Sequence, residues 1–478
     1  MSFAKIVQDV ADETWGFVPN RDIKSVHLAN GLFKELTQQV GAPNAVQRVA
    51  GGFLTGKVHK GKGGLMTTEQ VREEIRDHVM VADGGSISMD RVEDLRAALD
   101  VVLKQDRAFF GNGPFTPTLT HRLLTTSDPS DQQTGRFLAH VLLSGAPRAA
   151  SALRDALDTP TDNTYLLTSP LLKHVDMSAP PEPDAAVVGR VEGSPVLRNV
   201  QNAFETLSGY QADLEKTMLL QRAVTLGSFG LFLHLVNAVP DGERGLVPVV
   251  LCSTGQSAEV MKASRDAFRR AEQRTEQAFE AGLRQEFLRS GQDGLTADEY
   301  VGLARDEYLR PNGTKKERRV WRQFEADFQA GLTGSDPFTA FVRALTPAAF
   351  VEIGSSSPAD VAKFIGRTAG LVFPRNQGRG DRYYLPASQF IDALVTSIVE
   401  PDEDPLTQDV FWTRARDRFG IVSGALGSDD TSMMRDWGIV APPAGRQAEN
   451  ATALLSEMIR MGHARQFADG VALIKPSV

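Results

Sequence analysis

The chain has 478 residues, with 52 Lys and Arg against 60 Asp and Glu, a formal net charge of −8 and a pI near 5.6. That length exceeds one hydrophobic core, so about two to four domains are expected, and 41% hydrophobic with 23% charged residues is ordinary globular material. The acid excess excludes a positive field over the whole molecule, so any anion-binding surface must be a local patch. The single cysteine, Cys252, excludes an intramolecular disulfide and a cysteine-based zinc site.

The N-terminal "MSFAKIVQDVADETWGF" lacks the basic-then-apolar order of a secretory signal, which with the lone cysteine fits a cytoplasmic protein. The plentiful arginine, alanine, glycine and aspartate point to a bacterial source. Residues 1–158 read as an N-terminal helical domain. "TTEQVREEIRDHVMVADG" opens on a threonine cap and ends before glycines. "SMDRVEDLRAALDVVLKQ" places Val92, Leu95, Leu99 and Val102 on one side, and "DQQTGRFLAHVLLSG" is a third helix. The domain carries a basic glycine-rich loop, "GGFLTGKVHKGKGG", whose first seven residues spell G-x-x-x-x-G-K. Lys57 is followed by Val58 rather than Ser or Thr, and "NAVQRVA" before it reads as a helix end rather than a buried strand. A magnesium-binding P-loop is therefore not expected. Lys57, His59, Lys60 and Lys62 on a permissive backbone can instead follow phosphates.

Residues 159–196 are proline-rich and read as a linker or a surface strap. Residues 197–350 form a central helical domain with one strand. A long apolar helix or helix pair runs to about residue 240. Its segment "AVTLGSFGLFLHLVNAV" is at the short limit for a membrane span and contains His234 and Asn237, so a buried core helix is expected and no membrane partner. "GLVPVVLCS" is the clearest strand. A long helix follows, with Val260, Ala263, Ala267, Ala271, Ala278 and Phe279 as its apolar stripe. "TADEYVGLARDEYL" and "PNGTKKERRVWRQF" extend the helical region. Lys315, Lys316, Arg318, Arg319 and Arg322 crowd the second of these, where neighbouring acids make it read as a charge-laced solvent face.

Residues 351–400 read as a helix and hairpin, "SPADVAKFIGRTAGLVFPRNQGRGDRYYLP". Residues 401–478 repeat that order in "ENATALLSEMIRMGHARQFADGVALIKP", with Asp469-Gly470 as a hairpin turn. A helix leading directly into a hairpin resembles the closing half of a winged-helix domain. Leu454, Leu455, Met458 and Ile459 would form the inner helical face, and Val471, Leu473 and Ile474 the hairpin's apolar positions. "QDVFWTRARDRFGI" and "DDTSMMRDWGI" would be the preceding helices. The earlier segment is a second, winged-helix-like unit. The resemblance implies a nucleic-acid or a protein contact through the wings. Arg375, Arg379 and Arg382 would occupy the first wing's tip, where a planar guanidinium can fork onto a phosphate, and Arg465 the second.

Catalytic motifs are weak. "LCSTGQSAEV" has the strand-turn-helix order of an anion site, yet the position six after Cys252 is Ala258 rather than the arginine a phosphate-handling cysteine needs. A buried cysteine with a serine helix cap is the simpler reading. Asp213 and Lys216 lack a nuclease interval, the eight histidines show no metal spacing, and no G-x-S-x-G occurs. No cofactor, metal or catalytic residue is therefore assigned. The expectation is a mainly α, multidomain protein with small β-hairpins and a C-terminal winged helix. Its function would be that of a non-catalytic DNA-associated subunit or adaptor of a larger complex, in DNA processing or phage defence by analogy. The alternatives are a protein-interaction scaffold without nucleic acid, and an enzyme with a dispersed site near Ser253–Ser257.

Overall fold

The structure is a computed structural model that describes residues 2–19, 25–36, 59–60, 64–65, 132–157, 182–238, 245–255, 257–352, 357–374 and 381–477. In chain order the helices are α1 (Phe3–Trp15), α2 (Ser25–Leu36), α3 (Gln132–Gly145), α4 (Pro147–Leu157), α5 (Ala185–Gly193), α6 (Pro195–Ser208), α7 (Lys216–Val236), α8 (Ala258–Arg289), α9 (Ala297–Leu303), α10 (Lys315–Leu332), α11 (Pro337–Glu352), α12 (Pro358–Thr368), α13 (Ser388–Ile398), α14 (Gln408–Phe419), α15 (Ser428–Asp436) and α16 (Ala444–Arg460). A π-helical turn, Ala304–Tyr308, follows α9. The strands are β1 (His59–Lys60), β2 (Gly64–Leu65), β3 (Val249–Val250), β4 (Val372–Phe373), β5 (Tyr383–Tyr384), β6 (Leu406–Thr407), β7 (Ile421–Val422), β8 (Ala464–Gln466) and β9 (Ala472–Ile474). The fold is mainly α, and no described strand exceeds three residues.

The expected helices at 67–84 and 88–105 lie outside the described residues. The later part of the expected proline-rich strap is helical. Asp184 caps α5, Ser194 caps α6, and Pro195 sits at the start of α6, where its missing N–H costs no hydrogen bond. α7 is the described helix long and apolar enough to cross a membrane, and 94% of its apolar window is buried inside the protein.

The chain groups into two compact units, each assembled from separated stretches. The first comprises residues 1–22, 229–387 and 407–460. Its long helix α8 buries Val260, Ala263, Ala267, Ala271, Ala278 and Phe279, the stripe legible in the sequence, together with Leu283 and Phe287. β3 pairs in parallel with β7, and Leu251 bridges in parallel to Tyr384. Small residues along α8 let this miniature sheet approach closely. Ser264 Oγ donates to the Val250 carbonyl at 2.7 Å and accepts from the Tyr384 N–H at 2.8 Å. Asn450 on α16 ties the strand ends together. Its Nδ2 donates to the carbonyls of Leu251 and Ser423 at 2.8 Å each, and its Oδ1 accepts from the Ser253 N–H at 3.0 Å.

The second unit comprises residues 23–228, 388–406 and 461–478. α2 and α3 cross closely, because a Cβ at Gly135 would lie 2.6 Å from the Gly31 backbone. Two buried histidines are held alike. His140 accepts the Asp184 N–H at Nδ1 and sets Nε2 3.0 Å from Glu35; His463 accepts the Ser477 N–H at Nδ1 and sets Nε2 3.0 Å from Asp392. In each the accepting Nδ1 fixes the proton on Nε2. Asp392 also receives the guanidinium of buried Arg222 through two bonds, at 2.6 and 2.8 Å.

The element order α14, α15, α16, β8, β9 matches the expected helices and hairpin, and Gly470 takes the positive φ of 85° its turn needs. The strand between α14 and α15, however, is β7, which pairs with β3, and the third strand beside β9 is β6, which precedes α14. α16 belongs to the first unit and the hairpin from Met461 to the second. The winged-helix resemblance is thus carried by element order alone. Its inner face also shifts. Leu454, Leu455 and Met458 are buried, but Ile459 is 37% exposed, because 100° per residue carries it off the stripe. On the hairpin the inward pair is Ala472 and Ile474, and two-residue alternation turns Val471 outward.

Candidate polyanion interface on the α10–α11 hairpin

α10 begins at Thr314, whose hydroxyl accepts from the Glu317 N–H while the Glu317 carboxylate accepts from the Thr314 N–H at 2.5 Å. This reciprocal capping box satisfies two orphan donors of the first turn. It also occupies the one carboxylate among the first two turns. The hydrogen bonds from Thr314 hold the Glu317 carboxyl below its ordinary range, so it stays ionised and engaged. Arg310, at 3.8 Å in the preceding turn, and the charge of Lys316 favour its ionised form further.

The consequence falls on the basic residues. Lys315, Lys316, Arg318, Arg319 and Arg322 are all exposed, and none forms an ion pair among the described residues. Lys315, Arg318, Arg319 and Arg322 follow the spacing i, i+3, i+4, i+7 and share one face over about 10 Å of helix. Arg322 Nε donates to the Arg318 carbonyl at 3.3 Å. Such a stripe is locally unfavourable: cations near a helix N-terminus oppose its dipole, and like charges one turn apart repel. Several exposed arginines elsewhere in the same unit are paired, though exposed Arg435 forms no ion pair among the described residues. Arg269 pairs with Asp266 and Asp381, Arg289 with Glu13 and Glu286, Arg305 with Asp306, Arg446 with Glu449, and Arg460 with Glu457.

The inner face of α10 anchors the stripe. Trp321, Phe324 and Phe328 are buried, and Phe324 meets Phe341 of α11 edge-on at 6.1 Å. A Cβ at Gly331 would come within 3.0 Å of the Ala340 Cβ, so the helices converge at that end. At the other end α11 offers Ala344, Pro347, Ala348 and Val351. These side chains are too small to fill the space opposite α10. A groove of about 270 Å³ results, floored by Phe324 and Val320 and edged by Lys316, Arg319 and Gln323. A second depression, lined by Ser2–Ala4 and residues 305–313, mixes charges of both signs.

The residues singled out from sequence are distributed otherwise. Lys57, Lys62, Arg375 and Arg379 lie outside the described residues. The backbones of His59 and Lys60 form β1, antiparallel to β2 and opposite Leu65 and Gly64. Arg382 does not project from a tip: it is 8% exposed and its guanidinium donates to the Pro374 carbonyl, which removes it from any phosphate-binding set. A carbonyl left unpaired beside the short β4–β5 ladder needs a donor, and Arg382 supplies it. Arg465 is exposed on β8, opposite Leu473. The charge-laced solvent face expected for Lys315, Lys316, Arg318, Arg319 and Arg322 is exposed in the structure. The signal that distinguishes it is T-x-x-E at Thr314 and Glu317, which shows where the nearby acid is engaged.

The turn near Ser253–Ser257 is built structurally. Cys252 is buried, with burial pushing its thiol up to about 11. It lies 3.7 Å from the Val260 carbonyl, and Ser257 caps α8. That thiol is not nucleophilic near neutral pH. Among the described residues no three His, Cys, Asp or Glu side chains gather as metal ligands. No protein-family model, curated protein or solved structure is similar to this chain, so the site is read from its own geometry.

Proposed function

We propose that this protein is a non-catalytic, nucleic-acid-associated subunit or adaptor of a larger complex, and that it grips the phosphate backbone through the α10 stripe. One observation carries the reading: among the described residues, Lys315, Arg318, Arg319 and Arg322 line one exposed face with no ion pair, in a chain of net charge −8, on a helix whose first acid is committed to its cap. A protein that keeps such a stripe against its own dipole and self-repulsion retains an arrangement that a bound polyanion would relieve. Three of the four are arginines, whose forks suit phosphate. Arg465 is a second exposed contact. DNA and further protein subunits are the proposed partners, in a bacterial cytoplasm, and a place in DNA processing or phage defence is analogy at the level of architecture.

The test is binding of a labelled oligonucleotide, followed by anisotropy as salt rises. Phosphate contacts give a logarithmic salt slope of about −0.9 per contact. Replacing Arg318, Arg319 and Arg322 together with Gln is expected to weaken binding and flatten the slope by about 2 to 3. Unchanged affinity and slope in that variant would remove the proposal.

The scaffold alternative has one observation of its own. Phe467 and Val471 stand 46% and 45% exposed at the tip of the β8–β9 hairpin, an apolar pair suited to a protein partner. Capture of a partner subunit that is lost in Phe467→Ser, with no nucleic-acid binding by the intact protein, would favour that reading.

A further inference from the structure

We infer that the ligand is single-stranded nucleic acid, and that the α10–α11 groove seats one unpaired base. This rests on the proposed phosphate grip, and it adds the form of nucleic acid selected.

The stripe and the groove share Arg319, and Lys316 stands on the groove's edge. A strand whose phosphates follow Lys315, Arg318, Arg319 and Arg322 therefore runs beside an opening with an apolar floor. The opening, about 270 Å³, admits one bulky group. Its apolar lining is Val320, Phe324, Ala344, Pro347, Ala348 and Val351. The polar groups at its mouth decide which bulky group fits. Gln323 Nε2 donates to Asp327 at 2.9 Å, which leaves the amide carbonyl as an acceptor. The Arg319 guanidinium offers donors and a flat face. A hydrocarbon side chain would use neither group. A planar heterocycle with an exocyclic amino group and ring acceptors uses both and buries its faces against the apolar walls. Bases in a duplex are stacked and paired, so only an unpaired or extruded base can enter.

The experiment compares four probes of equal anionic charge on the intact protein at one salt concentration: a mixed-sequence single strand, a duplex of half its length, an abasic single strand and a poly-glutamate peptide containing one phenylalanine. The single strand is expected to bind about tenfold tighter than the duplex or the abasic strand, as one sequestered base would give. Ala348→Phe, which fills the groove and leaves every cation in place, is expected to abolish that preference and keep the salt slope. The abasic comparison needs no variant, so it decides the matter even where Ala348→Phe fails to fold. If all three nucleic acids bind alike and the Arg318/Arg319/Arg322 triple variant still weakens them, base seating is overturned while the phosphate grip stands. If the peptide binds as tightly as the single strand, the groove belongs to an acidic protein segment and the inference is likewise overturned. If the triple variant changes nothing, the phosphate grip itself fails, and base seating with it.

Discussion

α8 and α10 have the same composition in outline and opposite surfaces. Both bury aromatic residues inward, Phe279 and Phe287 on α8, Trp321, Phe324 and Phe328 on α10. Both carry arginines outward. On α8 the two exposed ones find carboxylates, Arg269 at Asp266 and Asp381, Arg289 at Glu13 and Glu286, while Arg270 bonds to Gln273 and Arg284 to Thr339. On the first two turns of α10 none does, because Glu317 closes the capping box. The difference teaches that a helix's free charge depends on what its own caps consume rather than on its residue count.

The comparison is sharpened first where the helices should agree. Phe279→Ala and Phe324→Ala each remove a buried ring, and each is expected to cost ~3–5 kcal/mol in denaturant melts. A loss below ~1 kcal/mol at Phe324 would mean that the α10–α11 packing does not hold the stripe in place.

The next effect is where they should differ. Arg318, Arg319 and Arg322 replaced by Gln are expected to lower oligonucleotide affinity steeply and flatten its salt dependence, whereas Arg269 and Arg289 replaced by Gln are expected to leave both unchanged. Equal losses from the two sets would reduce the effect to net charge and erase the distinction.

A pH measurement probes α8 alone. Burial pushes the Glu272 carboxyl up to about 7; Lys363 opposes that, and the nearby Glu276 and Asp360 charges add to it. The folded state therefore holds the Glu272 proton more tightly than the unfolded chain, whose carboxyl titrates near 4.5. The contribution to stability is full below about pH 4.5 and is lost as pH rises through about 7. Glu272→Gln is expected to remove that decline from Tm measured between pH 5 and 8, and an unaltered profile would assign the decline to other groups.

Smaller effects test the cap. Thr314→Ala is expected to cost ~1 kcal/mol, as loss of a threonine N-cap does. Because hydrogen bonds depress the Glu317 carboxyl, its share of the cap is present at neutral pH and disappears on acidification below the ordinary carboxylate range. Smallest of all, Lys315→Glu puts an acid in the first turn, where the dipole favours it. Thermal melts should show a gain of a few tenths of a kcal/mol while oligonucleotide affinity falls. A gain in both would break the link between the strained stripe and binding.

Much of the helical architecture was legible. The α8 stripe, the serine cap and buried cysteine around Ser257 and Cys252, the core placement of α7 and the Asp469-Gly470 turn follow from periodicity and local chemistry, which act over a few residues. The fate of individual arginines was not. Arg382 looked like the tip of a wing, and it bonds inward to Pro374 because a carbonyl there required a donor. Ile459 and Val471 looked like core, and the phase of their elements turns them out.

The amino-acid order by itself determined that this is a mainly helical molecule of net charge −8, on which any surface for anions has to be local. Only the tertiary structure decided which cations are available. Ion pairs such as Arg269 with Asp381 join residues far apart in the chain. The groove exists because alanines and a proline on α11 face α10. Pairing and packing of that kind depend on which side chains meet across helices, and spacing along one strand of sequence does not encode that meeting.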